Sequence, residues 1–125
     1  MAGTIVADTI QDGAGNSTSM DNAIYGSAKA WVTYKGTSTQ AILASYNVSS
    51  VTNNGTGDYT INFTTAFADA NYCPVYGGMA AISTGNWAFV TGYLSAQTTT
   101  TLRILVKNDA GTAIDSPSVS VAIHK

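Results

Sequence analysis

From Ala28 onward, apolar and polar residues alternate with a period of two. In "AKAWVTY" Ala28, Ala30, Val32 and Tyr34 fall on one parity and Lys29, Trp31 and Thr33 on the other, the pattern of a strand with one packed face. Lys35-Gly36-Thr37 ends it. "AILASYNVSSV" follows, with Ile42, Ala44, Tyr46 and Val48 on one parity and Ala41, Leu43 and Ser45 on the other. The stretch "NVSSVTNNGTGDYTINFTT", Asn47 to Thr65, then reads as a hairpin. Tyr59, Ile61 and Phe63 share its inner face, and Thr60, Asn62 and Thr64 its outer one. Asn53-Asn54-Gly55-Thr56-Gly57-Asp58 supplies residues suited to positive φ in a slightly extended hairpin loop. Asp58 is expected to bond nearby backbone amides.

Further strands are predicted at Tyr72 to Tyr76, Met79 to Ser83, Trp87 to Leu94, Thr99 to Lys107 and Ser118 to His124, each bounded by Gly, Asn, Asp or Pro. Single helical turns fit Phe67 to Tyr72 and Met20 to Tyr25. About eight short strands predict an all-β fold, an antiparallel β-sandwich or small barrel, with a jelly-roll-like arrangement among the options.

Residues 1–27 follow another pattern. Short apolar islands, Ile5-Val6, Ile10, Met20 and Ile24-Tyr25, lie in Gly, Ser, Asn and Asp. So little apolar surface cannot hold a fold by itself, so this segment is read as an extended N-terminal arm that is either disordered or laid along another surface. Residues 28–125 form the β-sandwich domain. Ile5, Val6, Ile10, Met20, Ile24 and Tyr25 are the candidate partner-binding residues of the arm.

Composition narrows the function. The chain has 125 residues, enough for one core, and only 10% are charged; all seven acids are Asp. A net charge of −2 with scattered cations gives no footprint for nucleic acid. No stretch reaches the roughly 18 apolar residues of a membrane span, and the first residues lack the cationic and apolar regions of a secretory signal. Synthesis in a cytoplasm is the expectation.

Catalytic chemistry finds little purchase. Cys73 is the only cysteine and His124, next to last, the only histidine, which argues against Cys/His and Ser/His/Asp catalysis and against zinc. Cys73 is expected to be a small buried hydrophobe. Asp58, Asp69, Asp109 and Asp115 lie in turn-like contexts, where a carboxylate caps backbone amides more often than it pairs for glycoside chemistry. Asp8, Asp12, Asn16 and Asp21 lack the acid-x-acid spacing of a calcium loop. The sequence indicates no enzyme, no metal and no cofactor.

What remains is surface. Trp31, Trp87 and Tyr93, with Tyr25, Tyr46, Tyr72 and Tyr76, are many aromatics for a chain of so few charges. Aromatic side chains bury much area at little rotamer cost, which suits an oligomer interface. Trp31, Trp87 and Tyr93 are the candidates for that role, or for exposed platforms that bind sugar.

Ala28-Lys29-Ala30-Trp31-Val32, Gly36-Thr37, Tyr46 to Thr52, Gly55 to Phe63 and Asn71-Tyr72 together resemble a domain common in bacteriophage virion proteins, especially at the ends of tail-fibre-like chains. The resemblance implies a homotrimeric, non-enzymatic component of the virion, made in the host bacterium. The chain lacks the coiled-coil heptads and repetitive shaft of a fibre. A small β domain behind a short apolar-dotted arm is the plan expected of a capsid decoration, or cement, protein that binds the major capsid protein or other virion proteins. The alternative is a tail-fibre or tail-tip domain recognising a host surface glycan.

Overall fold

The computed structural model describes residues 2–79 and 87–125. The fold is all-β: two four-stranded antiparallel sheets face each other as a sandwich, and a small hairpin and a short helix precede them. The elements are β1 (Thr9–Gln11), β2 (Ser17–Ser19), α1 (Met20–Gly26), β3 (Ala28–Lys35), β4 (Ala41–Tyr46), β5 (Val48–Gly55), β6 (Asp58–Phe63), β7 (Cys73–Met79), β8 (Phe89–Gln97), β9 (Thr101–Lys107) and β10 (Ser118–His124). One sheet has the order β4-β3-β10-β7, the other β5-β6-β9-β8. The expected strand at Met79 to Ser83 lies largely outside the described residues.

Alternation builds the core. Ala30, Val32 and Tyr34 of β3 and Val119, Val121 and Ile123 of β10 bury one sheet's inner face; Tyr59, Ile61 and Phe63 of β6 and Leu102, Ile104 and Val106 of β9 bury the other's. The hairpin β5–β6 therefore has the predicted inside and outside, with Val51 opposite Ile61 and Asn53 opposite Tyr59.

The run "AILASYNVSSV" is divided, contrary to its simple alternation. Asn47 takes φ 53° and turns the chain from β4 in one sheet to β5 in the other. Asn tolerates this left-handed region because its short amide bonds locally. Here the side chain donates to the carbonyls of Lys29 and Thr65, both at 3.2 Å, and accepts from the Thr65 amide at 2.7 Å. That amide pins the corner.

The link from β6 to β7 closes one end of the sandwich. It contains no helix; the turn expected at Phe67 to Tyr72 is an irregular loop held by aromatic packing. Phe63 meets Phe67 and Tyr72 edge-on, with centroids 4.9 and 5.8 Å away. The Tyr72 hydroxyl donates towards the Thr98 and Thr101 carbonyls.

Tyr34 and Tyr59 pack at 5.1 Å in the middle of the sandwich. The Tyr59 hydroxyl donates to Asp115 at 2.5 Å, and Asp115 also accepts from the Gly57 amide at 2.9 Å, tying the β9–β10 connection to the hairpin turn. The Tyr34 hydroxyl is buried with no partner among the described residues.

Burial raises the pKa of both phenols, and for Tyr59 the Asp115 carboxylate adds to the effect; Tyr72 is pushed up to about 12, chiefly by burial. A raised folded-state pKa stabilises the fold fully below the ordinary tyrosine value of about 10, and that stability is lost as pH rises through the folded value. Urea midpoints are therefore expected to be insensitive to these groups up to about pH 10 and to fall steeply beyond it. Tyr34→Phe, which removes one such group, is expected to give a shallower fall in the same titration.

Candidate functional site

The described residues present three surfaces: the arm, and the outer face of each sheet. The arm carries its apolar side chains in the open. Ile5 and Val6 are 86% and 94% exposed, Ile10, Ile24 and Tyr25 are exposed, and Met20 is half-buried. The helix expected at Met20 to Tyr25 is present as α1, and Ser19 caps it by accepting from the Asn22 amide. β1 and β2 form a hairpin that was not expected, its turn drawn in by Asp12, which accepts from the amides of Ala14 and Asn16 and from the Asn16 side chain, each at 2.9 Å. Those bonds hold the Asp12 carboxyl below the usual range. At the arm's root Lys29 donates to the Ile24 carbonyl and to Ser27 Oγ.

The outer face of sheet β4-β3-β10-β7 is apolar and shallowly concave. Along its midline β10 offers the small side chains Ser118, Ser120 and Ala122, with His124 at its end. Trp31 stands beside Ala122 on one side and Val75 on the other; Met79 lies opposite Ser118, and Tyr46 is the cross-strand partner of Trp31. Trp31, Tyr46, Val75 and Met79 are all exposed. Thr33 and Ser120 bond each other across the floor at 3.0 Å. The strands of this sheet contain no acidic residue, and their basic side chains are Lys29, Lys35 and His124.

The opposite sheet's outer face is polar. Asn62 donates to the hydroxyls of Ser50 and Thr52 at 3.0 and 2.9 Å, and Asn54 to Asp58 and Thr60. Asp58 does not cap backbone amides as expected. It forms a forked pair with Arg103 on β9, at 2.9 and 2.5 Å, because the hairpin places it on a strand beside Arg103 rather than in the loop. Arg103 holds the Asp58 carboxyl below the usual range and lies 5.3 Å from the centre of the Tyr93 ring.

The three candidate aromatics thus do not make one surface. Trp31 lies on the apolar face, Tyr93 on the opposite sheet beside Arg103, and Trp87 is exposed just ahead of β8. Tyr72 is core and Tyr76 half-buried. Val75 and Met79 escaped notice because Tyr72 to Tyr76 and Met79 to Ser83 read as two strands, whereas β7 is one strand whose parity turns Val75, Gly77 and Met79 outward. Cys73 is exposed, not buried: the inward positions of β7 belong to Pro74, Tyr76 and Gly78, and Cys73 faces His124 in the register.

Of the Asp residues, Asp69 accepts from the Asn71 amide and from Lys125, and Asp115 from Gly57 and Tyr59. No helix among the described residues is long and apolar enough to cross a membrane. No protein-family model, curated protein or solved structure matches this chain.

Proposed function

We propose that the protein is a non-enzymatic structural component of a bacteriophage virion, a trimeric capsid decoration protein that binds coat subunits and stabilises the shell. The observation that supports this reading most is the arm. Ile5 and Val6 lie almost fully in water ahead of a sandwich that has a complete core without them. Apolar side chains displayed in this way find burial on a partner. Binding to the assembled shell and not to free coat subunits shifts the assembly equilibrium by mass action, and three arms on one trimer multiply a weak contact through effective concentration.

The test is co-sedimentation of the labelled protein with particles of its own phage, with electron microscopy locating the label. The wild type is expected on the head. Ile5→Asp with Val6→Asp is expected to weaken binding tenfold or more, because two carboxylates replace buried aliphatic groups. Unchanged binding by that variant overturns the arm's role.

A second reading, a tail-tip domain that recognises a host surface glycan, draws on Tyr93 beside Arg103, Asp58 and Asn54, an aromatic ring next to hydrogen-bonding groups on an open sheet face. Label on the tail, with loss of host-cell binding in Tyr93→Ala, would favour it.

A further inference from the structure

Among the described residues, the base of the arm finds little support from its own chain. β1 and β2 have three residues each, almost all exposed, and α1 has seven residues, none of them buried. A lone two-stranded hairpin is marginal in water, and an isolated helix needs roughly 12–15 residues to be even marginally stable. Both elements therefore require a docking surface to persist.

The open face of sheet β4-β3-β10-β7 has the matching chemistry. It exposes Trp31, Tyr46, Val75 and Met79 around a floor of small side chains, and exposed apolar side chains grouped in this way on one face mark interaction sites. Charge matches as well. Residues 2–26 hold Asp8, Asp12 and Asp21 and no basic residue, whereas the sheet's strands hold Lys29 and Lys35, with His124, and no acid. In this single chain both surfaces are exposed at once, so the arm does not occupy its own sheet.

We propose that the arm base, β1 through α1, docks on the outer face of sheet β4-β3-β10-β7 of a second copy. Ile10, Met20, Ile24 and Tyr25 lie over the trough between Trp31 and Val75, and the arm's acids lie towards Lys29 and Lys35. The contact joins two different patches and so builds a ring when its rotation closes. Ile5 and Val6 lie beyond the docked segment and stay free for the coat. The contact itself is independent of any coat protein.

Analytical ultracentrifugation of the full chain at micromolar concentration tests this. The wild type is expected to sediment as a multiple of the 12.9 kDa chain, and to dissociate several-fold more readily when salt is raised from low to molar levels. Ile24→Asp with Tyr25→Ser damages the arm; Val75→Glu with Met79→Glu puts two acids into the trough. Each variant alone is expected to sediment as a single chain with an unchanged circular dichroism spectrum. Mixed together they are expected to form a two-chain species, since one supplies an intact sheet and the other an intact arm. A single-chain wild type, an oligomer that persists in a folded arm variant, or a mixture that stays single-chain would each overturn the proposal. Should the sheet variant fail to fold, the arm variant alone still decides.

Discussion

Gly57→Val is expected to cost the domain about 3 kcal/mol or more, enough to move its urea midpoint far below that of the wild type. Gly57 sits in the β5–β6 turn with φ +67°, where a β-branched residue is strained by its own backbone. Space is the larger obstacle. A Cβ there would meet the Val106 carbonyl oxygen and lie 2.8 and 2.9 Å from the amide nitrogen and carbonyl oxygen of Ile114, backbone atoms that cannot swing aside. The Gly57 amide donates to Asp115 and its carbonyl accepts from the Val106 amide, so displacing this residue also loosens the latch between the hairpin and the β9–β10 connection. Gly111 separates the two causes. It has φ +79° with nothing near its missing Cβ, so Gly111→Ala is expected to cost only about 1 kcal/mol, the strain alone. Equal losses at the two sites would show that crowding contributes nothing.

Ile104→Ala is expected to cost about 4 kcal/mol, near the top of the range for emptying an aliphatic core site. Ile104 is fully buried on β9, between Tyr59 of β6 and Gly92 of β8 in the register. Gly92 lends no side chain on one flank, and the Tyr59 hydroxyl is anchored to Asp115, so the walls have little freedom to close the void. Against a total stability of about 5–15 kcal/mol for a domain of this kind, the variant should unfold at markedly lower urea. Leu105→Ala, one residue on and facing the other way, is expected to lose much less; comparable losses would mean that the parity of β9 does not define the core.

The inner face of the sandwich was legible because strand periodicity is a local signal. Tyr59, Ile61 and Phe63 announce which way β6 faces, and β3 and β10 do the same. Asn47 was not legible as a corner: its αL conformation is stabilised by Lys29 and Thr65, each 18 residues away, and alternation across it continues without a break. Asp58 is a related case, since a carboxylate in a glycine-rich turn looks like a cap until β9 brings Arg103 beside it. The exposure of Cys73 is hidden in the sequence because a short apolar run with Pro74 gives no strong parity, and only pairing with β10 shows which side is inward.

The hairpin of β1 and β2 has no signature in the sequence, since three-residue strands are too short to carry a periodic pattern. That Trp31, Trp87 and Tyr93 belong to different surfaces follows from strand pairing and leaves no local mark in the sequence.

By itself, then, the sequence determined the class of fold, the burial of alternate residues and the hairpin turn, all of which follow from chemistry between near neighbours in the chain. Tertiary structure alone decided that β4 and β5 part into different sheets, that Asp58 pairs with Arg103, and that Trp31, Tyr46, Val75 and Met79 share one face. Those outcomes depend on pairing between strands distant in sequence, where register decides which side chains meet.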